Sequence, residues 1–281
     1  MRVTFYGVRG STPAPGPDTA RYGGNTSCVE VRLADESLLV LDAGTGMRKL
    51  GSALSANGGL RTPVHLLLSH THWDHVLGLP FFAPLWKKTT TLKVYPLASE
   101  AQERFQRTIF DDIHFPVSAN DVPATIEFVK PETETWRIGT ARIKRILLNH
   151  PGGAQGYRID DDGGASVAYL TDNELSQRAG AKTSIEALAR FADGVELLIH
   201  DAQYLSSDMP EKHGWGHSVV DEVLRLGALA KPRTLVLFHH DPDRSDAELD
   251  AIGQRAGAWL AEHAPGTQLI VAQEGAVLEL P

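Results

Sequence analysis

An α/β layered fold is predicted by two features of the sequence. Short β-rich runs alternate with amphipathic helical patterns along the chain, and several of those runs are apolar at nearly every position. A strand with one wet face alternates polar and apolar residues, whereas a strand covered on both faces reads as a continuous apolar stretch. Interleaving such strands with helices is how layers pack around a common core.

In chain order, RVTFYG, CVEVRL, SLLVLD, VHLLLS, KVYP, RIKRILL, SVAYLT, VELLIH, TLVLF and QLIVA read as strands. Helical spacing falls near 98–110, 184–191, 218–229 and 245–262. In the last of these, Leu249, Ile252, Ala256, Trp259 and Leu260 line one face. Two turn-rich stretches, GSTPAPGPDTARYGGN and FDDIHFPVSANDVP, are expected to be ordered surface loops of the kind that cover sites. No Pro/Ser-rich linker or short tandem repeat interrupts the chain, so residues 1–281 are expected to form one domain.

Composition narrows the function classes. With 42% hydrophobic and 22% charged residues the chain is an ordinary globular sequence. A net charge of −8 gives no general attraction to nucleic acid or to an anionic membrane. The single cysteine, Cys28, rules out an internal disulfide and any multi-cysteine metal site, and its apolar setting predicts a buried core thiol. The N-terminus runs straight into strand-like sequence and no apolar run reaches the ~20 residues that span a bilayer, so a cytoplasmic location is expected.

The chemistry is concentrated where the apolar run VHLLLS ends and the string His70-Thr71-His72-Trp73-Asp74-His75 begins. An extended chain puts His70 and His72 on one side, and a helix starting near Asp74 turns that carboxylate and His75 towards a second, adjacent position. Imidazole and carboxylate are ligands that zinc and similar divalent ions accept. Histidines merely capping a strand would explain one such residue better than three with an aspartate in six positions. Further candidates stand at later strand ends: His150 after RIKRILLN, Asp172 after SVAYLT and His239 after TLVLF. Strand ends in layered α/β proteins converge on one rim. Singly, each has a plain alternative: a turn histidine before Pro151, a capping aspartate, a loop histidine.

This order of motifs resembles the metallo-β-lactamase superfamily, over the span from Asp42 in LLVLDAGTG to His239 in LVLFHHDP. The resemblance implies a four-layer αββα sandwich and a dinuclear site with two divalent metal ions, zinc first, manganese or iron able to use the same ligands. It implies that His70, His72 and His150 bind one ion, that Asp74, His75 and His239 bind the other, and that Asp172 bridges them. Asp42 would support ligands from behind.

Within the superfamily the chain is similar to the RNase Z and cyclic-phosphodiesterase branch, through GVRGSTPAPGPDTARYGGNTSCVEV, LLIHDAQY and GWGHS. That likeness brings Asp201 and His217 into the site as non-ligand residues, Asp201 standing where the branch has glutamate. His217, oriented and held cationic by Asp201, would donate a hydrogen bond or proton to a phosphoryl oxygen. Ser218 would N-cap the following helix. Strand-end placement favours His239 over His240 as the ligand, and His200 reads as a satisfied structural histidine. His213, Trp215, His114 and Phe115 fall in rim loops with base stacking as a candidate role, while His65 and His263 read as structural or exposed.

The interval PGGAQGYRIDDDGGASVAYLT is compact and hairpin-like, without room for the protruding tRNA-binding arm that RNase Z proteins can carry there. The expected reaction is hydrolysis of a small or cyclic nucleotide phosphodiester by a metal-bridging hydroxide, which Asp74 and Asp172 help hold. Long nucleic acid and membranes are not expected partners; a homodimer is compatible with the branch. The rivals are a carbonyl hydrolase of lactonase, thioesterase or β-lactamase type and a non-catalytic metal-stabilised sensor or interaction module, and the Asp201/His217 pair favours phosphorus.

Overall fold

The computed structural model describes residues 1–56, 60, 62–96, 109–110, 115–176 and 181–281. The first sheet contains β1 (Arg2–Gly7), β2 (Cys28–Arg32), β3 (Leu38–Leu41), β4 (Val64–Leu67), β5 (Thr91–Tyr95), β6 (Thr125–Phe128) and, at its far edge beside β1, the last strand of the chain, Val277–Glu279. The second contains β7 (Thr135–Ile138), β8 (Ala141–Leu148), β9 (Ala154–Asp161), β10 (Ser166–Leu170), β11 (Leu197–Asp201), β12 (Thr234–Phe238) and β13 (Gln268–Val271); the closing strand Val277–Glu279 is β14. Pairing is parallel from β3 through β6 and from β10 through β13, and antiparallel elsewhere.

Side-chain alternation shows why the central strands read as continuously apolar. From β3, Leu39 and Leu41 enter a core shared with Val167 and Tyr169 of β10, Leu197 and Ile199 of β11, and Val236 and Phe238 of β12. The opposite faces are covered too. Leu38 and Val40 meet helix α1 (Met47–Ala56), while Ala168, Leu198 and Leu235 meet α3 (Ile185–Phe191), α4 (Val220–Ala230) and α5 (Asp246–His263). One inter-sheet core and two outer helix-on-sheet cores make the αββα sandwich. Burying a Leu or Val side chain is worth roughly 1.5–3 kcal/mol, so three cores supply the main drive to this arrangement.

Local signals set the helix ends. Ser245 accepts from Glu248 N and Glu248 Oε2 accepts from Ser245 N, a reciprocal cap that starts α5. The face expected on α5 is buried at Leu249, Ile252, Ala256 and Leu260, whereas Trp259 is only partly buried and stacks on His263. Helix α1 and strands β6, β7 and β14 lie outside the segments that periodicity marks, and β9 falls in the hairpin-like interval before SVAYLT; these strands are short, polar or Gly- and Asp-punctuated. The helix expected near 98–110 lies mostly outside the described residues. No helix among the described residues is long and apolar enough to cross a membrane.

Candidate metal centre

Parallel strands point their C-terminal ends the same way, and the two sheets face each other at that edge. Asp42 follows β3, Ser69 and His70 follow β4, His150 follows β8, Asp172 follows β10, Asp201 closes β11 and His239 follows β12. Between His72 and His75 the chain makes one helical turn, α2 (Trp73–Val76), which swings Asp74 and His75 inward while Trp73 stays 51% exposed.

Three residues without glycine's freedom sit at positive φ here: Asp42 (60°), Asp172 (53°) and His239 (58°). That region costs an L-residue roughly 1–2 kcal/mol. The turn it makes at each strand end redirects the side chain from the sheet face to the rim, and the surrounding hydrogen bonds hold it there.

Two groups of donor atoms result. His70, His72 and His150 bring nitrogens within 4.8 Å of one another, as do the donor atoms of Asp74, His75, Asp172 and His239. Asp172 lies between them: Oδ2 is 3.7 Å from Nε2 of both His70 and His150, and Oδ1 is 3.1 Å from Nε2 of both His75 and His239. His72 faces its group through Nδ1, 3.1 Å from His150 Nε2, and alone among the seven is solvent-exposed.

The residues behind these groups orient them. His75 Nδ1 donates to Asp42 Oδ2 (2.8 Å), which also accepts from Ser69 Oγ and Tyr169 Oη (both 2.8 Å). Ser69 Oγ, having spent its proton on Asp42, is 3.0 Å from His70 Nδ1 and serves as its acceptor. His150 Nδ1 donates to Gly216 O (2.9 Å), and His239 Nδ1 faces Gln203 Oε1 (2.9 Å). In each case Nδ1 is committed and Nε2 is turned inward, which is how metal-binding imidazoles are held. Gly216 must be glycine: its φ is +91°, and a Cβ there would strike His150 and Pro151.

The donor set passes a simple test of fit for divalent cations. His70 Nε2 is buried without a hydrogen-bond partner, a condition that costs about 1–3 kcal/mol unless something fills it, and His75 Nε2 faces the carboxylates of Asp172 and Asp74 at 3.1 and 3.2 Å. Asp74 and Asp172 bring two carboxylates into the same space. Burial opposes the charge on Asp172, yet the His239, His75 and His70 imidazoles hold its carboxyl well below the usual range. Burial likewise opposes protonation of His75, but Asp172, Asp74 and Asp42 push it well up, while burial and neighbouring imidazoles push His70 well down. A cation between these groups satisfies both lone pairs and carboxylates.

His217 stands beside the second group, its ring stacked 5.0 Å from His239 and its Nδ1 2.6 Å from Asp201 Oδ2. Burial would lower its pKa, but the charge and hydrogen bond of Asp201, followed by Asp172 and Asp74, raise it to about 9. Asp201, His217, Asp172 and His239 form a third group of donor atoms within 4.8 Å. Ser218 is not the helix cap expected from GHS: the N-cap of α4 is Val219, and Ser218 Oγ instead donates to Asn173 O and accepts from Leu175 N (3.2 Å). Tertiary contacts across 45 residues outcompete a local cap.

His240 is buried and donates to Ala272 O (2.8 Å), outside the donor groups, and His200 is buried with both ring nitrogens engaged, by Asp201 O and Asn173 Nδ2. His65 is half-buried against Tyr95, and Cys28 is buried. Phe115 packs edge-on against Phe81 and Phe110 and so is not a free stacking surface; His213 is exposed, Trp215 is 61% exposed, and His114 lies outside the described residues. The sequence pattern had no means of finding Tyr169, Gln203 or the buried Glu174, which accepts from Gly214 N and Gly216 N (2.9 and 3.0 Å) and seats the loop before His217.

A model of the beta-lactamase superfamily domain matches residues 38–240. Ribonuclease Z of Pseudomonas putida is 26% identical over 294 residues, covering 87% of this chain and 88% of that protein. The metallo-beta-lactamase fold protein YhfI from Bacillus subtilis superposes with a TM-score of 0.71 at 19% identity, covering 99% of this chain and 98% of that one. A diphosphatase from the PhnP family does so with a TM-score of 0.67 at 21% identity, covering 100% and 98%.

Proposed function

The chain belongs to the beta-lactamase superfamily, in its RNase Z-like branch, and is a metal-dependent hydrolase; from that premise we propose that it is a phosphodiesterase for a small or cyclic nucleotide phosphodiester. The observation that carries this reading is the Asp201–His217 pair: a buried imidazole held by a carboxylate at 2.6 Å, with Nδ1 4.0 Å from Asp172 Oδ2.

His70, His72 and His150 would hold one divalent ion and Asp74, His75 and His239 the other, with Asp172 serving both. Zinc suits this nitrogen and oxygen set best, and manganese or iron can use it. Such ions, when bound, supply Lewis acidity that offsets charge on phosphoryl oxygens and makes water acidic enough to attack near neutral pH. Asp201 keeps His217 protonated and oriented. His217 gives its proton to the leaving oxygen, and Asp201 offsets the charge of the imidazolium. Since both sheets contribute to the site, residues 1–281 act as one domain in this reading.

Two features favour a small substrate over precursor tRNA. The interval from His150 to Asp172 is taken up by the turn at Gly152–Gly153, β9, a second turn and β10, and the chain carries a net charge of −8. Long RNA is drawn by many basic contacts to phosphate. The test is kcat/KM under one metal condition for an aryl phosphodiester, 2′,3′- and 3′,5′-cyclic nucleotides, dinucleotides, lactones, thioesters and a precursor tRNA. Turnover of a small nucleotide diester above the rest is expected. Preference for a lactone or thioester by about a hundredfold, ~2.7 kcal/mol of transition-state discrimination, would overturn the phosphodiesterase reading. Efficient tRNA trimming without turnover of any small diester would overturn the substrate class alone.

A further inference from the structure

We propose that Gln203 is a positioning residue for one of the two metal positions: its side-chain amide sets which nitrogen of His239 carries the proton and ties that imidazole, through Ser11, to Asp74. The inference rests on the reading above that His239 and Asp74 hold the same ion.

A closed circuit of contacts carries it. His239 Nδ1 is 2.9 Å from Gln203 Oε1, and Gln203 Nε2 donates to Ser11 Oγ (3.2 Å). Ser11 N donates to Asp74 Oδ2 (2.8 Å), which returns to within 3.2 Å of His239 Nε2. An amide oxygen only accepts, so it holds Nδ1 as the N–H and leaves the lone pair on Nε2, the atom that faces Asp74 and Asp172. The rings of His75 and His217 stack on His239 at 5.3 and 5.0 Å, which fixes its plane but not its tautomer. That choice falls to Gln203.

Gln203 is built for the task. It is 5% exposed, and its backbone N donates to Asp201 Oδ1 (3.0 Å), so its position is inherited from the end of β11. The N-terminal loop can reach this spot because residue 10 is glycine: a Cβ there would collide with the His239 ring and approach the Gln203 amide. The other buried imidazoles of the donor groups have different partners, Asp42 for His75, Ser69 for His70 and the Gly216 carbonyl for His150. Loss of the Gln203 amide therefore acts on one position only.

The experiment is zinc titration of chelator-stripped protein by calorimetry, with the unfolding midpoint of the metal-free protein measured alongside. Gln203→Met keeps the length and removes the acceptor; Gln203→Glu keeps an acceptor. We expect Gln203→Met to weaken one of the two zinc-binding events by about 10- to 100-fold and to leave the other within about threefold; losing buried hydrogen bonds lowers the metal-free midpoint in either role, so the inequality between the two events is the readout. Gln203→Glu should restore the weakened event. Unaltered affinities in Gln203→Met overturn the proposal, as does equal weakening of both events, the mark of a packing role. His239→Ala, run in parallel, should lose the same event. Retention of both events in His239→Ala would show that the ligand assignment itself is wrong and the inference with it, which separates the two failures.

Discussion

Tyr169 Oη donates a 2.8 Å hydrogen bond to Asp42 Oδ2, joining the second sheet to the first directly behind the donor groups. Both residues are fully buried, and the same carboxylate oxygen orients His75. Tyr169→Phe removes the hydroxyl and little else. It should destabilise the protein by about 1–3 kcal/mol, lowering Tm by roughly 2–4 °C for each kcal/mol, as read by thermal and urea unfolding. Unchanged stability would mean that Ser69 and His75 satisfy Asp42 without it.

Metal removal should be felt in stability as well as activity. A ligand at a thousand times its Kd stabilises the folded state by about 4 kcal/mol, so chelation should lower Tm and zinc or manganese should restore it. Metal analysis of protein purified without chelator should approach two equivalents. Asp172→Ala, which removes the carboxylate between the groups, and His72→Ala should both abolish hydrolysis. A fully active protein with one tightly held ion would contradict the two-ion reading.

His217→Ala should keep both metals and lose turnover, by about 10²- to 10⁴-fold on diesters with poor leaving groups. The loss should shrink for aryl leaving groups, which need little protonation. If kcat on poor leaving groups stays at the unsubstituted level while the metal content is intact, His217 is a structural residue, stacked on His239 and edge-on to Tyr204.

His65 offers a pH test away from the metal centre. Burial first, and the Lys93 charge second, pull its pKa from 6.5 down to about 4, with Nδ1 2.9 Å from Tyr95 Oη. The unfolded chain takes up this proton near the ordinary value and the folded chain does not. The contribution to stability is therefore present above pH 6.5 and lost as pH falls towards 4. Between pH 7.5 and 4.5 the urea midpoint of His65→Gln should fall less than that of the unsubstituted metal-free protein. Parallel falls would show that His65 titrates alike in both states.

What the sequence determined by itself is whatever depends on short range. The spacing in His70-Thr71-His72-Trp73-Asp74-His75 dictates that one strand end and one helical turn present four donors, and an apolar run followed by a polar residue marks a strand end wherever it occurs. Doubly covered strands betray four layers because both side-chain sets must be apolar. The tertiary structure alone decided the rest. Asp42, Asp172 and His239 adopt positive φ at a local cost that no propensity predicts, since distant contacts hold them there. Ser218 gives up a nearby cap for Asn173, Gln203 meets Ser11 across 192 residues, and Tyr169 meets Asp42 across 127. The Gln203–Ser11 and Tyr169–Asp42 pairings arise when the two sheets pack face to face, and the Ser218–Asn173 pairing when two loops meet at the rim of one sheet. Their energies belong to that packing, and no window of adjacent residues contains both partners.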